Sequence, residues 1–246
     1  MYRIFLLVLF CSLHYSRQAN IKCLPGQFPN QYDECQKCPK IHYCPDGSRA
    51  LECEPGTYNN LYGQQACRKC RPGDYQIYSA SSACDRAYRG FYSANASSEP
   101  VPCSPGTYTH LPGQVACLPC PHGYYQIHDG QSGCDRCPRG HTCESASAKP
   151  KECPPGMHNP LFNQVKCRPC KRGYYNLDSG SSACLRCPKG HRCPNTTEAP
   201  IPCSLGYYNN LYQQTECRPC KKGWTTVNEG EHKCMDETLL LGSLIG

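Results

Sequence analysis

Cysteine dominates the residues able to do chemistry. The chain carries 25 cysteines in 246 residues, and fourteen of them form seven Cys-x-x-Cys pairs, such as Cys67/Cys70, Cys117/Cys120 and Cys184/Cys187. Two sulfurs at that spacing suit three chemistries: a zinc corner, a dithiol redox centre, or the ends of neighbouring structural disulfides. Cys117-x2-Cys120…Cys134-x2-Cys137 has the spacing of a four-ligand zinc ribbon. In the same columns fifty residues earlier only Cys67, Cys70 and Cys84 remain, one ligand too few. A redox dithiol sits on one packed thioredoxin-like unit, whereas these pairs recur along the whole chain. Disulfides are the chemistry left, and no metal or other cofactor is expected. His42, His141 and His191 share one column, and a ring packed on its own loop accounts for each. With no Ser-His-Asp, paired-carboxylate or phosphate-loop constellation, the chain does not read as an enzyme.

Two further sets of residues suggest recognition. Arg68, Lys69 and Arg71; Lys166, Arg168, Lys171 and Arg172; and Arg218, Lys221 and Lys222 fall around one repeat column. A solvated surface is the simpler reading of such a stripe. The sharper one is a contact for acidic extracellular glycans. Asn95-Ala-Ser97 and Asn195-Thr-Thr197 are N-glycosylation sequons 100 residues apart, which marks one exposed linker column. Pro100, Pro150 and Pro200 close that linker and should stiffen it.

The elements that hold these residues come from a repeat. Cys53, Cys103, Cys153 and Cys203 are 50 residues apart, and the following cysteines keep the same offsets. Each 50-residue repeat contains three similar modules that open Cys-x-x-Gly-x-aromatic, as in Cys53-Glu-Pro-Gly-Thr-Tyr58 and Cys120-Pro-His-Gly-Tyr-Tyr125. A glycine held in one column predicts a turn with positive φ. The aromatic two residues later is placed to lie over a neighbouring disulfide.

Internal variation bears on the pairing. Where one repeat has Cys137 and Cys143, the repeat at 53–102 has Ala87 and Ser93, and the last has Glu237 and Ser243. Paired loss is what a bond between those two columns predicts, because losing one partner would strand a thiol. This gives Cys38–Cys44, Cys137–Cys143 and Cys187–Cys193. The other cysteines then fall into local loops: Cys23–Cys35, Cys53–Cys67, Cys70–Cys84, Cys103–Cys117, Cys120–Cys134, Cys153–Cys167, Cys170–Cys184, Cys203–Cys217 and Cys220–Cys234. A crossed pattern within each repeat is the rival for these longer loops. The missing pair at Ala87 and Ser93 predicts a looser joint in its repeat.

Composition fixes the class. Leu, Ile, Val and Phe make up about an eighth of the chain after residue 19, too little for an ordinary core, and cysteine supplies the alternative. Met1-Tyr2-Arg3 followed by the apolar run Ile4–Leu13 reads as a signal peptide, which would remove Cys11 and leave an even number of cysteines. The formal net charge of +7 excludes little, although a secreted protein with no base-stacking module is a poor match for nucleic acid.

The pattern Cys-x-Pro-Gly-x-Tyr…Cys-x-x-Cys-x-x-Gly-x-Tyr…Ser-Gly-Ser-Ser-x-Cys-x-x-Cys-Pro-x-Gly, carried from Cys153 to Cys193, resembles the ephrin-receptor-like cysteine-rich repeat. The resemblance extends from Cys23 to about Cys234. Single modules are also similar to those of tumour-necrosis-factor-receptor cysteine-rich domains. It implies an extracellular stalk or interaction segment. Ephrin recognition and signalling do not carry over, because no ephrin-binding or kinase domain accompanies the repeats.

The expected fold is a set of small disulfide-rich repeats: an elongated rod with short β-hairpins, little regular secondary structure and no central hydrophobic core. The expected division is a signal peptide at 1–19, a partial repeat at 20–52, repeats at 53–102, 103–152 and 153–202, a partial repeat at 203–234 and a tail at 235–246. The expected role is a secreted or cell-surface spacer or protein-interaction array. A soluble receptor-like binder, with Arg68, Arg71, Lys166, Arg168, Lys171, Arg172, Arg218, Lys221 and Lys222 as candidate glycan contacts, is the alternative. Extracellular proteins and acidic glycans are the partners implied, with a membrane involved only if the chain is part of a longer anchored protein.

Overall fold

The computed structural model describes residues 21–238. The leader expected at 1–19 and the apolar run at 239–246 fall outside the described residues. What is described is a series of two-stranded antiparallel hairpins with almost no helix. In one of them Thr57–Tyr58 pairs with Arg68–Lys69, with Tyr58 opposite Arg68. Tyr174–Tyr175 pairs with Leu185–Arg186 in the same way. Strands of two or three residues cannot persist alone in water. Each long hairpin is therefore stapled by a cystine. Cys53, ahead of the first strand, bonds Cys67, the last loop residue before the returning strand, with Cα atoms 5.7 Å apart, and Cys170 and Cys184 do the same at 5.8 Å. In the chain-entropy account a loop of this size contributes roughly 3 kcal/mol.

The hairpins gather into two compact bodies. Among the described residues, one comprises 21–71, Tyr75–Asp85 and Asn95–Glu99; the other comprises Pro72–Asp74, Arg86–Ala94 and 100–238. In the first body lie the bonds Cys23–Cys35, Cys38–Cys44, Cys53–Cys67 and Cys70–Cys84. In the second lie Cys103–Cys117, Cys120–Cys134, Cys137–Cys143, Cys153–Cys167, Cys170–Cys184, Cys187–Cys193, Cys203–Cys217 and Cys220–Cys234.

Within each body the same main-chain bonds join successive modules. The amide opening one module donates to the carbonyl of the glycine in the module before it. Cys70 N bonds Gly56 O at 2.9 Å in the first body; Cys153 N bonds Gly140 O at 2.8 Å and Cys187 N bonds Gly173 O at 2.9 Å in the second. These glycines need both their conformation and their lack of a side chain. Gly140 has φ +76° and a Cβ there would stand 1.8 Å from Gly180 O. The next-but-one hairpin thus packs directly onto bare backbone.

No aliphatic side chain larger than alanine is buried among the described residues. The buried apolar groups are cystine sulfurs and Ala87. Beside them runs a column of buried polar side chains six residues after each opening cysteine: Asn59 and Gln76 in the first body, Thr109, Gln126, Asn159, Asn176, Asn209 and Thr226 in the second. Several cap a carbonyl of the preceding strand. Asn59 Nδ2 donates to His42 O at 2.7 Å, Asn159 Nδ2 to His141 O at 2.8 Å and Asn209 Nδ2 to His191 O at 2.8 Å. A buried carbonyl left unpaired would cost roughly 1–3 kcal/mol, so these amides do part of the work of a core.

The same column holds the second cysteine of each short loop, and it explains the site where the short bond is missing. Ala87 is 0% exposed and Ser93 4%, so neither position is open to solvent. Ser93 Oγ donates to Asp74 O at 3.5 Å, the role the asparagines play elsewhere. The Tyr88 and Phe91 rings meet at 4.3 Å between centroids. At this joint a polar cap and a ring contact occupy the place that the bridge takes in the matching loops.

Candidate interaction surface

With its centre given to cystines and amides, the molecule places its larger apolar side chains outside. In the loop of the first hairpin of each repeat the same exposed tip recurs: Leu61 and Tyr62, Leu111, Leu161 and Phe162, Leu211 and Tyr212. Cations of the short loops lie over three of the rings. Lys40 Nζ is 5.5 Å from the Tyr62 centroid, the Arg139 guanidinium 4.9 Å from Phe162 and Lys189 Nζ 5.4 Å from Tyr212. Such contacts fix the tip without covering it.

The candidate glycan contacts are exposed throughout: Arg68, Lys69 and Arg71 in the first body, and Lys166, Arg168, Lys171, Arg172, Arg218, Lys221 and Lys222 in the second. Several lie on or beside the returning strands Arg68–Lys69, Arg168–Pro169 and Arg218–Pro219. At the matching strand, Leu118–Pro119, no cation stands, so the second body has a gap in the series. Lys221 Nζ lies 4.1 Å from the Trp224 centroid. None of the series forms an ion pair among the described residues, where the recorded pair is Arg86 with Asp74 at 3.8 Å.

Both sequon asparagines are exposed. Asn95 Oδ1 accepts from Ser97 Oγ at 2.9 Å and Asn195 Oδ1 from Thr197 Oγ1 at 3.0 Å. Asp46 occupies an equivalent turn: the Ser48 hydroxyl, then its amide, hold the Asp46 carboxyl below the usual carboxylate range. The sequons therefore sit on a small asparagine turn on each linker.

The column histidines do pack on their own loops. His42, His141 and His191 each donate from Nδ1 to the carbonyl two residues earlier, at 3.2, 2.9 and 3.1 Å. A different histidine meets sulfur: His158 Nδ1 lies 3.1 Å from Cys184 Sγ. The His158 ring and the sulfurs of Cys170 and Cys184 converge within 4.8 Å. Because the two sulfurs are bonded to each other they offer no thiolate pair to a metal.

Sequence reasoning missed the buried polar column, although its signal was present: from Cys53 onward, Asn, Gln or Thr recurs six residues after each opening cysteine unless a cysteine stands there, while Pro29 takes the place in the first module. It also missed His158, which replaces a tyrosine in its column but could not be assigned a neighbour without the stacking of hairpins.

Residues 90–123, 106–153 and 162–199 match a family model described as tyrosine-protein kinase ephrin type A/B receptor-like. No curated protein matches the chain. The matched family is a non-catalytic, extracellular type of cysteine-rich domain. Among the described residues no helix is long and apolar enough to cross a membrane.

Proposed function

As a carrier of cysteine-rich repeats of the ephrin type A/B receptor-like family, this chain is, we propose, an extracellular protein-interaction array whose repeats offer one small contact face many times over. The recurrence of the exposed leucine tip at Leu61, Leu111, Leu161 and Leu211 carries this reading. A patch that small binds weakly alone. Repetition on one chain raises its effective concentration and makes the second contact far cheaper than the first. The intervening cystine-stapled modules act as spacers and bury too little volume to shape a catalytic cleft.

The test is binding of the labelled, secreted chain to cultured-cell surfaces. Replacing any single tip leucine with serine should weaken binding by a small factor, about two- to fivefold, and replacing all four should weaken it more than about a hundredfold. One dominant position would favour a receptor-like single site and overturn the array.

Acidic glycan binding is a second reading, favoured by the exposure of the basic series, which forms no direct ion pair among the described residues. Heparin is the probe. Lys166→Gln, Lys171→Gln and Arg172→Gln combined should lower the salt needed for elution from immobilised heparin, since screening acts on exposed charge. Passage of the unaltered chain through that column at about 0.15 M salt would end this reading.

A further inference from the structure

The hairpins that follow the first module of each repeat are closed by Cys70–Cys84, Cys120–Cys134, Cys170–Cys184 and Cys220–Cys234. At the aromatic column of the module before them stand Tyr58, Tyr108, His158 and Tyr208. One bond of the four thus has an imidazole where the others have a phenol. That imidazole touches sulfur, with Nδ1 3.1 Å from Cys184 Sγ. A groove of about 280 Å³ opens on the same spot, lined by His158, Pro160, Lys171, Tyr174 and Cys184. Cys184 lines the groove, whereas Cys170 is buried.

We propose that Cys170–Cys184 is a thiol-exchange site, the bond of this array that a small extracellular thiol opens first. A thiolate entering the groove beside Lys171 attacks Cys184 Sγ. A sulfur–sulfur bond forms to Cys184, the Cys170–Cys184 bond breaks, and its electron pair leaves on Cys170 Sγ. That sulfur lies within 4.8 Å of a His158 ring nitrogen, and the imidazole there passes a proton from the incoming thiol to the leaving thiolate. A second equivalent of thiol attacks the sulfur of the bound reductant and releases Cys184 as a thiol. Two electrons pass from two thiols to the cystine, and the oxidised small disulfide departs. A base that relays a proton to the departing sulfur makes it a better leaving group, and a better leaving group is displaced faster. The phenols at Tyr58, Tyr108 and Tyr208 bring no such relay.

Opening this bond frees the Leu185 hairpin from the staple that compensates for its two-residue strands. The proposal stands apart from the array reading, since it needs no macromolecular partner.

The experiment uses the full secreted chain. Limiting dithiothreitol or glutathione is added, new thiols are trapped with N-ethylmaleimide at timed intervals, and the labelled cysteines are located by peptide mass mapping. Cys170 and Cys184 should label first with both reductants. His158→Tyr, which installs the residue of the other repeats, should slow that opening about three- to tenfold, to the rate of Cys120–Cys134. His158→Gln should do likewise, which guards against a local packing fault in either variant; intact mass without free thiol verifies that both have formed their bonds. Lys171→Gln should slow glutathione, which carries extra negative charge, more than dithiothreitol. First labelling at any other pair, or equal opening rates with and without the imidazole, would overturn the assignment.

Discussion

Asn159 shows how a single amide substitutes for apolar packing. Its Nδ2 donates to His141 O at 2.8 Å, while its buried Oδ1 has no hydrogen-bond partner. The useful atom is therefore the donor. Asn159→Ala should cost about 1–3 kcal/mol by leaving that carbonyl dry and unpaired. Asn159→Asp should cost more, because it removes the donor and buries a charge. Calorimetry and amide exchange around His141 measure both, and Asn60→Ala, at the exposed neighbouring position in another repeat, should change stability by less than about 0.5 kcal/mol. Glycine gives a steeper contrast. Gly140→Ala would force a Cβ to 1.8 Å from Gly180 O at φ +76°, while at Gly133 nothing lies within 4 Å. Secretion should fall sharply for Gly140→Ala and remain unchanged for Gly133→Ala; equal yields would mean that the hairpins do not pack through this contact.

At the scale of the element, the hairpin is defined by what closes it. The short loops Cys137–Cys143 and Cys187–Cys193 use a bond, and the matching loop at Ala87 and Ser93 uses a hydroxyl and two rings. Ala87 and Ser93 are both buried, as the cysteines of the matching loops are. Ala87→Cys with Ser93→Cys should form a bridge and raise stability by about 2 kcal/mol, the closure entropy of so small a loop. Either cysteine alone should give a titratable thiol and disulfide-linked dimers on a non-reducing gel. This element also marks the limit of what the sequence disclosed. Cysteine spacing and the glycine column were enough to place the hairpins and their turns, because covalent geometry and positive φ act locally. The fate of the 87/93 position was not legible, since Ser93 pairs with Asp74 nineteen residues away. The contact of His158 with Cys184, 26 residues apart, escaped for the same reason. Both depend on how one hairpin lies on the next, and no local pattern encodes that.

At the scale of the molecule, stability comes from many small closures. Each module bonds mainly to its sequence neighbours within its body, so local losses should remain local, as in other repeat architectures. The basic and apolar side chains left outside become available for recognition, and their recurrence at 50-residue intervals is what makes an array of equivalent faces possible. The central claim is that every hairpin except the one at Phe91–Tyr92 and Val101–Pro102 is closed by its own local cystine. Digestion of the secreted, unreduced chain followed by mass mapping of linked peptides tests that directly. The account predicts Cys153 linked to Cys167 and Cys170 linked to Cys184, with the same local pairing in every repeat and no free thiol. Crossed links, such as Cys153 with Cys170 and Cys167 with Cys184, would contradict it.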